Sequence, residues 1–263
     1  MEKTPNEQTL ENEREEKEYF EYQMFHHRER NVVINKQPLF VHNYTQKGYK
    51  KMKMPSKLYA LISSFYRGNY SEKFDEPAKW KVEGQLINQK AVRTSLIWID
   101  IDTMNMYAEI LKPILEDWCK CSLVFTMGYG IREYYGGNVL QRHVDRIKTH
   151  VIGVILQVHQ ELEGADWLLE VINFNGDRNW VKLLPGEMLL YESAKVIHSR
   201  PEVFQGSKFA NCFLHFAPTT GWNFDYDGKK IWDSTRIEYL AESSTSLTKE
   251  KNMFRKFGGS DEL

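Results

Sequence analysis

The chain lacks any apolar run approaching the ~18 residues that a membrane span requires, and its beginning is polar and acidic rather than leader-like. No membrane span is therefore expected. Cysteine is scarce: only Cys119, Cys121 and Cys212 occur in 263 residues. The number is odd and the first two lie too close in sequence for an ordinary bridge, so a reduced chain in the cytoplasm is expected. Net charge is nearly absent, with 35 basic against 36 acidic residues. That balance gives no broad electrostatic attraction for nucleic acid. No internal repeat is present either. One feature favours another compartment. Ser260-Asp261-Glu262-Leu263 resembles a KDEL-type retrieval signal, which makes the endoplasmic-reticulum lumen the alternative location.

What is present reads as globular: 41% hydrophobic and 27% charged residues, with an aromatic share of 13% that suits a β-rich core or a substrate groove. Residues 1–30 are dominated by Glu, Lys and Arg and read as a polar, solvated segment. Residues 31–220 read as one domain with a core at about 121–218, and residues 221–263 as a C-terminal extension. Pro55-Ser56-Lys57 opens a helix through Ile62. The spacing of Met106, Ile110, Ile114 and Trp118 predicts a second helix over Thr103–Lys120. The segment from Lys47 to Lys57 holds five lysines and reads as solvated surface. From Cys121 onward, short β-rich runs punctuated by Gly and Pro predict a sandwich or barrel: Ser122–Met127, His150–Val158, Trp167–Phe174, Trp180–Leu184, Glu187–Tyr191 and Phe209–Phe216. Asn175-Gly176-Asp177 reads as a hairpin turn.

His143-Val144-Asp145 carries the functional reading. Alternate residues of a strand share a face, so a strand-borne His143 and Asp145 offer an imidazole and a carboxylate to one metal. His198, 53 residues beyond Asp145, ends a strand at a turn and adds a second imidazole. Two histidines and one carboxylate suit non-haem Fe(II) with positions left open. The same set also serves catalytic zinc, but that reading leaves Lys208, ten residues past His198, unexplained. A second such triplet, His159-Gln160-Glu161, sits at a polar loop and reads as surface. His150 and His215 lie in apolar strands and read as core. His26-His27 has no visible partner.

The order His143-x-Asp145, His198, Lys208 resembles the Fe(II)- and 2-oxoglutarate-dependent dioxygenases of the prolyl 4-hydroxylase-like branch, over roughly residues 90–220. The resemblance implies a mainly β protein with supporting helices, folded as a double-stranded β-helix (jelly roll). It implies Fe(II) on His143, Asp145 and His198, 2-oxoglutarate and O2 as co-substrates, and ascorbate as reductant. Lys208 would pair with the far carboxylate of 2-oxoglutarate, with Arg200 as the alternative cation. Tyr129, in the Tyr129–Tyr135 stretch, would contact 2-oxoglutarate, and Tyr135 would line the same pocket. A longer loop, Gly136 to Arg142, and Glu163–Trp167 depart from the family pattern where substrate would be recognised. The implied reaction is hydroxylation of a prolyl residue in a peptide or protein. A free amino acid or small metabolite is the alternative substrate, and a non-catalytic jelly-roll binding domain the further alternative.

Overall fold

The computed structural model describes Arg14 and residues 34–76 and 94–224. The expectations for residues 1–30 (Arg14 aside), for His26-His27 and for Ser260–Leu263 fall outside the described residues. A helical stretch at 34–40 is followed by β1 (Tyr49–Lys53), α1 (Ser56–Gly68), β2 (Phe74–Asp75), β3 (Thr94–Ile97), α2 (Ile101–Cys119) and β4 (Leu123–Tyr134). Then come β5 (Leu140–His143), β6 (Ile152–Leu162), β7 (Leu169–Ile172), β8 (Arg178–Val181), β9 (Glu187–Tyr191), β10 (Ile197–Arg200) and β11 (Gly206–Pro218). One sheet has the order β1-β9-β6-β11-β4-β3-β2 and the other β5-β10-β7-β8. This is the double-stranded β-helix, mainly β, with two helices on its larger sheet.

Each helix forms for a local reason. Asp100 caps α2: its Oδ1 accepts from the Thr103 backbone N–H at 2.9 Å and its Oδ2 from the Thr103 hydroxyl at 2.7 Å. The helix buries Met104, Tyr107, Ala108, Leu111, Leu115 and Cys119, a stripe at three- and four-residue spacing. Gly128 of β4 lets that stripe approach, because a Cβ there would meet Met104 Sδ at 2.6 Å. α1 buries Leu58, Ile62, Ser63 and Tyr66 in the same manner.

Two elements depart from expectation. Lys120 adopts φ 55°, the left-handed conformation that ends a helix. The turn brings Cys119 and Cys121 together as a disulfide with a Cα–Cα distance of 5.4 Å, the pairing that sequence proximity had excluded. The lysine-rich segment is not merely solvated surface. It contains β1, which pairs with β9 from Tyr49↔Tyr191 to Lys53↔Glu187 and sets its lysines on a sheet edge, where charge deters pairing with another chain.

Strand parity sorts β11 into two faces. Phe213 packs with the inter-sheet core of Ile155, Leu169, Val171, Leu189, Tyr191 and Val196. Phe209 packs with Tyr134, Trp167 and Phe204. Residues 209, 211, 213 and 215 therefore face the second sheet, and residues 208, 210, 212 and 214 face outward toward the helices. On β4 the parity changes at Gly130. The strand gains a residue against β11 between Gly128 and Ile131, Gly130 has φ 95°, and a Cβ there would meet the Ile97 carbonyl at 2.3 Å. This bulge turns Tyr129 to the inner face along with Arg132 and Tyr134.

On the outer face, a buried carboxylate seats α1. Glu133 has 0% exposure. It accepts from the hydroxyls of Tyr66 and Tyr135 (the latter at 2.6 Å) and from Lys73 Nζ at 2.9 Å. Burial pushes its carboxyl up, but these donors outweigh that and hold its pKa below the ordinary 4.5. A depressed carboxylate contributes stability above the unfolded-state pKa and loses it as pH falls through the folded-state value. Glu133→Gln should therefore lower the unfolding free energy by roughly 2–4 kcal/mol near pH 7. In urea titrations this gap should close as the pH is lowered below ~4. An unchanged gap at pH 3 would contradict it.

Candidate metal centre

β5 and β10 pair so that His143 lies directly opposite His198, with ring centroids 4.1 Å apart. The pairing shifts register by one residue before Arg200↔Leu140, a bulge in β5 just ahead of His143. Each imidazole is held by its own chain: His143 Nδ1 lies 2.7 Å from the Gln141 carbonyl and His198 Nδ1 2.9 Å from the Val196 carbonyl. With Nδ1–H donated to a carbonyl, Nε2 of each ring keeps its lone pair. Both Nε2 atoms face Asp145 Oδ1, at 3.7 Å and 3.8 Å.

Asp145 is not borne on a strand. β5 ends at His143, and Asp145 lies two residues beyond, where its N–H donates to the Ser193 carbonyl at 2.8 Å. Its own carbonyl accepts from Gln37 Nε2 at 2.7 Å. The Oδ2 oxygen turns to Tyr191, whose hydroxyl donates at 3.3 Å, and to His215 Nδ1 at 3.7 Å. Burial pushes the Asp145 carboxyl up, yet His198, His215, His143 and His150 outweigh it and hold the pKa below the ordinary value. The ligand atoms of His143, Asp145 and His198 all lie within 4.8 Å of one another. Two imidazoles whose Nε2 atoms turn toward one carboxylate oxygen are the donor set that a divalent iron-type metal takes, so the residues fit the group.

The inner face of the larger sheet, with the turn just ahead of β6, adds three groups. Tyr129 OH lies 3.1 Å from His150 Nε2, and the His150 ring lies against that of His215, tilted by 42°, with centroids 3.9 Å apart. Burial pushes the Tyr129 hydroxyl up. It also drives His215 down to about 3. His215, read as core from sequence, thus adjoins Asp145 at Oδ2, and His150, also read as core, lies behind it against the His215 ring. Tyr191 and Gln37 had no sequence signal, since their roles come from distant segments folding onto the Asp145 loop.

Lys208 and Tyr135 are not brought to this cluster. Lys208 faces outward, with Nζ 3.4 Å from Glu161 Oε1 and 5.3 Å from the centre of the Tyr70 ring. Its inward-facing neighbour on the strand is Phe209. Tyr135 bonds Ser95 at 2.8 Å as well as Glu133, on the outer face; its predecessor Tyr134 faces in. Arg200 does face in: it is two residues from His198 on β10, with its guanidinium carbon 4.9 Å from the Trp167 ring centre and 4.5 Å from that of Phe209. Burial pushes its pKa down to about 9. His159 lies at the surface beside Glu161, 3.1 Å away.

No family model and no curated protein matches the chain. Among solved structures, the non-haem α-ketoglutarate-dependent epimerase SnoN of nogalamycin biosynthesis aligns with a TM-score of 0.52 and 10% identity, covering 72% of this chain and 84% of that one. A prolyl-4-hydroxylase from Pseudomonas putida aligns at TM-score 0.47 and 15% identity, over 66% of this chain and 95% of that one. A 2OG-Fe(II) oxygenase-family oxidoreductase from Burkholderia pseudomallei gives 0.48 and 11%, over 67% and 87%. The likeness to SnoN is one of fold: this chain has the jelly roll on which that enzyme is built.

Two expectations follow. His198→Ala and Asp145→Ala should each abolish stoichiometric Mn(II) binding in calorimetry while far-ultraviolet circular dichroism stays native, whereas His159→Ala should bind normally. Tyr191→Phe, which removes the hydroxyl on Asp145 Oδ2, should weaken Mn(II) binding by ~10-fold or more. Equal affinity in Tyr191→Phe would show that the hydroxyl does not orient the ligand.

Proposed function

We propose that the chain is an Fe(II)- and 2-oxoglutarate-dependent oxygenase that hydroxylates an unactivated C–H bond. One observation carries the reading: two imidazoles locked by backbone carbonyls aim Nε2 at one carboxylate oxygen, at the same end of the jelly roll. His143, Asp145 and His198 would hold the metal. Bound iron would supply O2 activation coupled to conversion of 2-oxoglutarate to succinate and carbon dioxide.

The chain's own residues do the rest. The Gln141 and Val196 carbonyls fix the tautomers of the two imidazoles. Tyr191 and Gln37 hold the Asp145 side chain and backbone. Tyr129 presents a hydroxyl beside His150, and would turn it to an anionic co-substrate as a neutral donor. The apolar inter-sheet core keeps bulk water from the inner side of the site. An intact Asp145 favours hydroxylation, because the carboxylate occupies a position that a halide would need. The proposed substrate is a prolyl residue in a peptide or protein, a reading supported by the resemblance of the order His143-x-Asp145, His198, Lys208 in sequence to the prolyl 4-hydroxylase-like branch. Ascorbate is the proposed reductant.

The test is succinate release by protein purified without oxygen and then given Fe(II), ascorbate, 2-oxoglutarate and air. Proline-containing peptides, free amino acids and small metabolites are supplied separately. Succinate rising with the peptides, and falling at least ~100-fold in His143→Ala, is the expected result. Stimulation by a free amino acid or metabolite alone would replace the prolyl substrate. No succinate under any condition would count against oxygenase activity.

A further inference from the structure

The acidic co-substrate of this proposed chemistry needs a cation inside the sandwich for its far carboxylate, and four basic residues of the two sheets are already held elsewhere. Lys208 faces outward onto Glu161. Arg132 faces in, but Glu76 takes its fork with two bonds, at 2.6 Å and 2.7 Å. Arg142 and Arg178 are both committed to Glu170 on the outer face of the smaller sheet, at 2.7 Å and 2.8 Å.

Arg200 differs from all of these. It is 2% exposed. Nη1 donates to the Trp167 carbonyl, while Nη2 has no hydrogen-bond partner. No carboxylate pairs with it among the described residues. Leaving a buried guanidinium without an anion is costly, and a guanidinium wholly structural in purpose would spend its fork on carbonyls or carboxylates. Instead, Trp167 and Phe209 lie against the group and hold it in place. Its position suits a short diacid, because Arg200 shares the inner face with His198 and follows it by roughly 7 Å of strand.

We propose that Arg200, rather than Lys208, takes the distal carboxylate of 2-oxoglutarate, through the Nη2 that the fold leaves unpaired. This rests on the oxygenase reading above and assigns the co-substrate a seat between the sheets, walled by Trp167 and Phe209.

The test is calorimetry on the full chain loaded with Mn(II), titrated with 2-oxoglutarate and with 2-oxopentanoate. The second ligand keeps the chelating keto acid and chain length but lacks the distal carboxylate. Wild type should prefer 2-oxoglutarate by ~30-fold or more. Arg200→Gln should lose that preference while its Mn(II) and 2-oxopentanoate affinities stay within about twofold of wild type. Lys208→Ala should keep the preference. A preference retained in Arg200→Gln, or lost in Lys208→Ala, would overturn the assignment. Should Arg200→Gln fail to bind Mn(II), Arg200→Lys decides: a reduced preference for the diacid supports the assignment, and equal weakening of both keto acids overturns it. If wild type binds Mn(II) but neither keto acid, the oxygenase reading fails instead, a result distinct from binding both equally, which overturns only the seat.

Discussion

The pairing of β5 with β10 is the constraint on which the site depends. His143 sits across from His198 in that register, and cross-strand neighbours are close enough for their side chains to meet. A slip of one residue would send both rings to the outer face, where Ser199 and Arg142 now bond Glu170. Glu170 thus does more than satisfy itself: one carboxylate on the outer face gathers Arg142 of β5, Ser199 of β10 and Arg178 of β8. It holds the pairing from behind while the imidazoles face inward.

Asp145 needs a different device because it lies beyond the strand. Its loop is tied to the Glu192–Lys195 turn that precedes β10 and to the stretch before β1. Gln37 bridges the carbonyls of Asp145 and Ala194. Glu192 accepts from the backbone of Tyr44 and Thr45, and Lys195 Nζ donates to the Val41 carbonyl at 2.8 Å. Three chain segments far apart in sequence are fastened where they pass the carboxylate, so residues 37–45 support the candidate metal centre without contributing a ligand. Stability and site geometry are here the same set of bonds.

Most strands from Cys121 onward, both helices and the three candidate ligands were legible in the sequence because each is a local pattern: β-rich runs bounded by Gly and Pro, a 3.6-residue stripe, and a His-x-Asp with a distant His; β1, β2 and β3 were not. Glu187–Tyr191 was read to the residue. Facing was not legible. Lys208 and Phe209 are neighbours, as are Tyr134 and Tyr135, and which of each pair enters the sandwich depends on parity counted through bulges. The bulge at Gly130 turns Tyr129 inward, and a sequence offers only a glycine there. The Cys119–Cys121 pair was missed for a similar reason, since it follows from one left-handed residue, Lys120. Long-range partners such as Gln37 and Tyr191 leave no local trace at all.

The most direct test of the central claim is the visible spectrum of the Fe(II)-loaded protein as 2-oxoglutarate is added without oxygen. A keto acid chelating an iron held by His143, Asp145 and His198 produces a metal-to-ligand charge-transfer band, and the account predicts one that saturates at one equivalent and is absent in His198→Ala. Iron binding with no such band, or a band that survives in His198→Ala, would contradict it.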